Sequence, residues 1–178
     1  MEIALLELLT ALDTAVAEAV AGARSPLATK LFTSVTGLGS ATAALVLLGL
    51  FRTAGWTEEF ERGGVALAMT GVVVAVLMAT VQRPFPPQPV CVTGNSATVA
   101  TSFPSGHAAA ATVFALVAWR SEVLPGRVVA PLALAVIVSR VYLGTHYLTD
   151  TVAGVLIGAA AFVVAGYALT WWDSRRAA

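Results

Sequence analysis

Residues 63–81 run without one charged side chain, and that segment restricts what the chain can become. About 20 mostly apolar residues are needed to cross the hydrocarbon layer of a bilayer as a helix. The rest of the chain is of the same kind. Of its 178 residues, 58% are hydrophobic and 11% charged, against roughly 45–50% and about 25% in an ordinary soluble domain. The mean hydropathy is +0.85. A water-soluble globule of this size would lack the charged groups to cover its surface. That excludes a cytosolic domain, a nucleic-acid binder and a disordered tail. Ten basic and ten acidic residues balance to a formal net charge of zero, so nothing points to a polyanionic partner. The single cysteine, Cys91, allows no intrachain disulfide and reads as an inert small residue in a loop. Without a basic stretch after Met1, no cleavable signal peptide is expected.

The pattern predicts an all-α integral membrane bundle of about five transmembrane helices plus an N-terminal interfacial helix. The chain reads as one membrane domain over 1–178, with the interfacial helix within 1–24 and the core bundle over 27–172. Residues 3–20 carry no Gly or Pro, and at helical pitch Glu2, Glu7, Thr10, Asp13, Thr14 and Glu18 fall on one side and Leu5, Leu8, Leu9, Leu12 and Val16 on the other. Each acid would cost about 2.5–3.5 kcal/mol at mid-membrane. The helix is therefore expected along the interface or beside the bundle. Apolar segments follow at 27–51, 63–81, 105–119, 128–143 and 149–172. Residues 52–62 and 121–127 are polar connections. Residues 82–103, with Pro84, Pro86, Pro87 and Pro89, are expected as a loop.

Arg52, Arg62, Arg120, Arg127, Arg175 and Arg176 fall at one set of helix ends, and Arg24, Lys30, Arg83 and Arg140 at the other. By the Lys/Arg bias, the first set is expected to be cytoplasmic, and the proline-rich loop to face the exterior.

The scarce polar groups of the exterior ends are Arg83, Ser105, His107, Arg140, His146 and Asp150, and they include both histidines of the chain. Histidine is the side chain whose unperturbed pKa suits proton exchange near neutrality. Phe103-Pro104-Ser105-Gly106-His107 ends a loop and opens an apolar helix. Ser105 can cap that helix, which is a sufficient structural reason for it. The remaining free N–H groups make an anion site, and Gly106 allows close approach to the backbone. Arg140 in an apolar segment is either a functional candidate or a snorkelling interfacial cation. His146 and Asp150 are four apart and share a face if that turn is helical. A carboxylate on one imidazole nitrogen would leave the other as nucleophile or base. Arg83-Pro84 reads alone as a helix end; with Arg140 it would supply two planar cations for phosphate oxygens.

Phe103-Pro104-Ser105-Gly106-His107 and Ser139-Arg140-x5-His146-x3-Asp150 resemble the second and third signature motifs of the type 2 phosphatidic acid phosphatase family. Gln82-Arg83-Pro84 resembles the end of the first, which reads Lys-x6-Arg-Pro. The resemblance covers residues 13–172. It implies a helical bundle that hydrolyses phosphate esters without metal or cofactor. It implies His146 as the nucleophile, oriented by Asp150, and His107 as the acid that protonates the leaving oxygen. Arg83, Ser105, Gly106 and Arg140 would hold the phosphoryl oxygens. The motif lysine would fall at position 76, where this chain has Val76; its single lysine is Lys30.

The expected function is that of a membrane lipid phosphatase or diphosphatase with an exterior-facing site. Its substrate would be a lipid phosphate or polyprenyl diphosphate, and it would work by way of a phosphohistidine. Two other readings stand beside it. One is a catalytically silent lipid-phosphate binder, suggested by Val76. The other is an intramembrane serine hydrolase using Ser105 with His146, which gives His107, Arg83 and Arg140 no task.

Overall fold

The computed structural model describes the backbone of residues 2–90 and 101–176. Cys91 and the polar run that follows it lie outside the described residues. Seven α-helices account for most of the rest: α1 (Glu2–Gly22), α2 (Pro26–Thr36), α3 (Ala41–Thr53), α4 (Thr57–Thr80), α5 (Gly106–Arg120), α6 (Gly126–Tyr142) and α7 (Leu148–Arg176). Three serines start helices by accepting a hydrogen bond from the backbone N–H three residues on. They are Ser25 with Ala28 N, Ser40 with Ala43 N, and Ser105 with Ala108 N. Each satisfies one of the donors that a helix start leaves free.

Helix α5 is the axis of the bundle, packed against α4, α6 and α7. Its Ala108–Ala111 run, with Val113, Phe114, Val117 and Ala118, is buried. Small residues let the neighbours come close. A Cβ on Gly154 would collide with the Ser105 carbonyl oxygen, and one on Gly158 with the Ala109 carbonyl oxygen. This backbone-on-backbone approach suits a medium in which lipid competes for apolar contact. At the end away from the site, Phe51, Val113, Phe114 and Phe162 form the main apolar core. The Arg62 and Arg120 guanidinium groups both lie 5.9 Å from the Phe162 ring centre there, so two of the six arginines read as cytoplasmic share one end.

Several expected boundaries shift. The 27–51 segment is not one unbroken helix: a short 3₁₀ turn, Gly37–Gly39, separates α2 from α3, which bend by 56°. A Cβ on Gly39 would lie 2.7 Å from Val136 Cγ1 and 3.1 Å from His107 Cβ, so the bend packs tightly against α5 and α6. The connection read at 52–62 shrinks to three residues, because α4 begins at Thr57 with Glu58 and Glu59 in its first turn. Acidic side chains there favour a helix start rather than a loop. Helix α7 continues through the polar tail to Arg176, with Arg175 and Arg176 lying over Trp171 and Trp172. Among the described residues, α4 and α7 are long and apolar enough to cross a membrane, with a third span if the bent α2–α3 pair counts as one. Helices α5 and α6, of 15 and 17 residues, are shorter. The fold class is an all-α membrane bundle.

Helix α1 packs on α6 and α7. Its Leu5, Leu6 and Leu8 point away from the protein, while Asp13 turns inward and is 1% exposed.

Candidate active site

The C-terminal end of α6 sets His146 in place. Gly144 has φ +68°, a left-handed conformation that glycine adopts without cost and that ends helices readily. The reversal brings the Thr145 and His146 N–H groups back to the Arg140 carbonyl at 3.1 and 3.2 Å. The His146 ring is thereby buried, 7% exposed. Its Nδ1 lies 2.5 Å from the Ser102 carbonyl oxygen. A carbonyl can only accept, so Nδ1 carries the proton and Nε2 keeps its lone pair. Burial, then the nearby Arg140 cation, push the His146 pKa down to about 3, and His107 acts in the same direction. The imidazole is neutral at pH 7 and ready as a nucleophile or base.

Asp150 does not take the part expected of it. His146 precedes α7, so the two are not one helical turn apart. The Asp150 carboxylate accepts from its own helix's start, Tyr147 N at 2.8 Å, and from Arg83 Nη1 at 2.5 Å. The atom that fixes the His146 tautomer is the Ser102 carbonyl oxygen instead.

Arg83 is likewise committed to protein partners. Its Nη2 pairs with Asp13 Oδ2 at 2.7 Å. Its Nη1 donates to Asp150 and, at 2.8 Å, to Thr149 Oγ1. The guanidinium carbon lies 4.1 Å from the centre of the Tyr147 ring. Hydrogen bonds and charge from the two carboxylates outweigh partial burial and raise the Arg83 pKa. Two anions thus face this one cation.

Arg140, 8% exposed, donates to Thr36 Oγ1 at 2.7 Å, which ties α6 to the end of α2. It is close enough to both His107 and His146 for its charge to act on them. Ser105, fully buried, caps α5, and its backbone N–H donates to the Asp150 carbonyl at 3.0 Å. The next amides, of Gly106 and His107, are in the first turn, where a helix offers no internal acceptor. Lys30 is exposed on α2, and Val76 is 55% exposed on α4.

Gly106 and His107 also line an apolar cavity of about 580 Å³. Its walls are Ala41, Ala44 and Leu45 of α3, and Gly64, Ala68 and Gly71 of α4. One imidazole therefore borders both a polar cluster and an apolar cavity. Among the described residues, no group of three His, Cys, Asp or Glu side chains could hold a metal ion.

The structure brings together His107, His146 and Arg140, with Ser105 and Gly106 at the helix start. It sets Arg83 and Asp150 beside them, on each other. Sequence reasoning missed Asp13, Ser102, Thr36 and Thr149. Asp13 carries no local signal that separates it from the other acids of α1. Ser102 acts through its backbone, which no residue type reveals.

Residues 63–175 match the family model described as the PAP2 superfamily. Over 117 residues the chain is 32% identical to the decaprenylphosphoryl-5-phosphoribose phosphatase of Mycobacterium tuberculosis, a match covering 65% of this chain and 64% of that one. The chain thus matches just under two thirds of that relative's length. The crystal structure of Aquifex aeolicus LpxE superposes with a TM-score of 0.71 at 25% identity, covering 84% of this chain and 91% of that one. That of a PAP2 type phosphatidylglycerolphosphate phosphatase from Bacillus subtilis shares the fold, with a TM-score of 0.76 at 23% identity over 93% and 86% of the two chains. The chain belongs to the PAP2 superfamily.

Proposed function

We propose that this PAP2-superfamily chain, as a single membrane domain over 1–178, is a phosphatase or diphosphatase of amphiphilic phosphate esters. The observation that carries the reading is the meeting of two imidazoles and the Arg140 guanidinium, with one of the imidazoles, that of His107, also lining an apolar cavity. The cluster suits a phosphate; the cavity suits the hydrocarbon attached to it. The phosphatase name of the Mycobacterium tuberculosis relative points the same way.

In this reading His146 Nε2 attacks phosphorus, forming an N–P bond while the ester P–O bond breaks. His107 gives its proton to the departing oxygen. Water then attacks the phosphohistidine and returns a proton to His107, and the N–P bond breaks to release inorganic phosphate and restore the Nε2 lone pair. Arg140, with the Gly106 and His107 amides behind the Ser105 cap, stabilises the charge on the equatorial oxygens. Arg83 and Asp150 sit at the rim as a pair. No step needs a metal or cofactor. The arginine distribution supports a site on the outer side of the cell membrane.

The test is release of inorganic phosphate in detergent micelles with EDTA present, from phosphatidic acid, phosphatidylglycerophosphate and polyprenyl mono- and diphosphates. Release from at least one is expected. No release from any, while a working relative is active in parallel, favours the silent binder. Loss of release on adding EDTA rejects the metal-free route. A thiol reagent that cannot cross membranes is expected to label Cys91 in intact cells; labelling only after permeabilisation reverses the orientation.

A further inference from the structure

Helix α1 lies outside the segment matched by the family model, which begins at residue 63, yet the one inward carboxylate among its described side chains touches the site. Asp13 is 1% exposed and makes three contacts: with Arg83 Nη2 at 2.7 Å, with Thr149 N at 3.0 Å, and with Thr149 Oγ1. A buried carboxylate is costly unless its oxygens are satisfied by charge and hydrogen bonds, and here both are. The guanidinium is held between Asp13 on one side and Asp150 on the other, against the Tyr147 ring.

What Arg83 is fixed to by its backbone gives this arrangement a use. The Arg83 N–H donates to Thr101 Oγ1 at 3.2 Å, and its carbonyl accepts from Ser102 N at 2.7 Å. Ser102 Oγ donates to the Pro84 carbonyl at 3.1 Å. The Ser102 carbonyl is the acceptor for His146 Nδ1. The segment around Arg83 thus holds Thr101 and Ser102, and Ser102 carries the group that orients the imidazole.

We propose that Asp13 is a positioning residue, which holds Arg83 against Asp150 and through the Arg83–Ser102 backbone bond fixes the rotation of the His146 ring. Helix α1 is then a wall of the site, and Arg83 links it to the nucleophile. The kinetic consequence rests on the reading of His146 as nucleophile; the geometric one does not.

The experiment compares Asp13→Asn, Asp13→Glu and, as a control on the exposed side of α1, Glu7→Gln, all as full-length protein in detergent. Asp13→Asn is expected to lower kcat about tenfold or more with KM within about twofold, since small misplacements of a reacting group are costly. Asp13→Glu should recover part of the loss, and Glu7→Gln should match the parent. Formation of the phosphoenzyme should slow by the same factor as kcat. A tie that only docks α1 would lower the melting temperature and leave turnover per folded molecule unchanged, which would overturn the proposal. A rise in KM alone would also overturn it, because that is the signature of a substrate contact. If Asp13→Asn does not fold, Thr149→Val removes one contact of Asp13 and one of Arg83 and carries the same kinetic test; parental kcat there overturns it.

A readout independent of turnover is carbethoxylation by diethyl pyrocarbonate, read by mass spectrometry at each histidine. Release of the ring from Ser102 should make His146 react several-fold faster in Asp13→Asn while His107 keeps its rate. Parental rates at both overturn the proposal even if the protein has no phosphatase activity. Inactivity of the parent with an altered His146 rate would instead sink the functional reading and leave the positioning intact.

Discussion

Gly154 of α7 lies so close to Ser105 that the carbonyl oxygen of the serine occupies the space a Cβ would need. Helix α5 starts at this point and α7 sets its height. Gly154→Ala is expected to push the α5 start aside, at a cost of about 1–3 kcal/mol for forced overpacking. The melting temperature in detergent should fall and activity with it. Gly49→Ala, at an α3 position open to space, should leave both unchanged. Equal melting temperatures for the two variants would show that the α5–α7 contact yields.

The two histidines should fail differently. His146→Ala is expected to abolish phosphate release and to leave no acid-labile, base-stable phosphoprotein after brief reaction with labelled substrate. His107→Ala should slow turnover by about 10²–10⁴-fold, the usual contribution of a general acid, while the phosphoprotein can still form from substrates with good leaving groups. Label that survives His146→Ala would remove that residue as nucleophile.

The pH profile should lack an acid limb set by the nucleophile. His146 is held neutral, its pKa down at about 3 against an ordinary 6.5. Its reactive form is therefore complete above that value and lost only as pH falls through it. Between pH 5 and 8 its titration should not appear in kcat/KM. The same shift lowers stability in acid. The unfolded chain takes up a proton below about 6.5 that the folded chain refuses, so stability declines as pH drops from there toward 3. An acid limb near 6.5 in kcat/KM that persists in His107→Ala would contradict the buried, neutral ring.

Ser105→Ala removes the α5 cap, worth about 1 kcal/mol. It is expected to slow phosphate release without ending it. Complete loss of activity in a protein that still folds, together with phosphonylation of Ser105 in the parent by a fluorophosphonate, with fluoride as the leaving group, would favour a serine hydrolase.

The parts of the fold written in local chemistry were legible. Ser105 before an alanine-rich run foretells the α5 start, and Arg83-Pro84 foretells the end of the α4 segment. Charge was a poorer guide. Glu58, Glu59 and Arg62 suggested a loop, yet side chains beyond the hydrocarbon leave a helix free to continue. Spacing misled at His146 and Asp150, because four residues make a shared face only inside a helix, and Gly144 ends α6 before His146. The Asp13–Arg83 pair spans 70 positions. Nothing in the composition of α1 says which of its acids turns inward, since that depends on how α1 lies on α6 and α7.

The interruption at Gly37–Gly39 has a practical consequence for anyone seeking a sturdier protein. Replacing Gly37 and Gly39 with alanine improves intrinsic helicity and tempts the chain toward one unbroken rod from α2 into α3. That rod would carry Thr36 away from Arg140, and in the bent form the methyl group on residue 39 would collide with Val136 and press on His107. Helicity gained this way should come with a strained packing and a silent catalyst, and selection for activity would restore glycine at position 39 first.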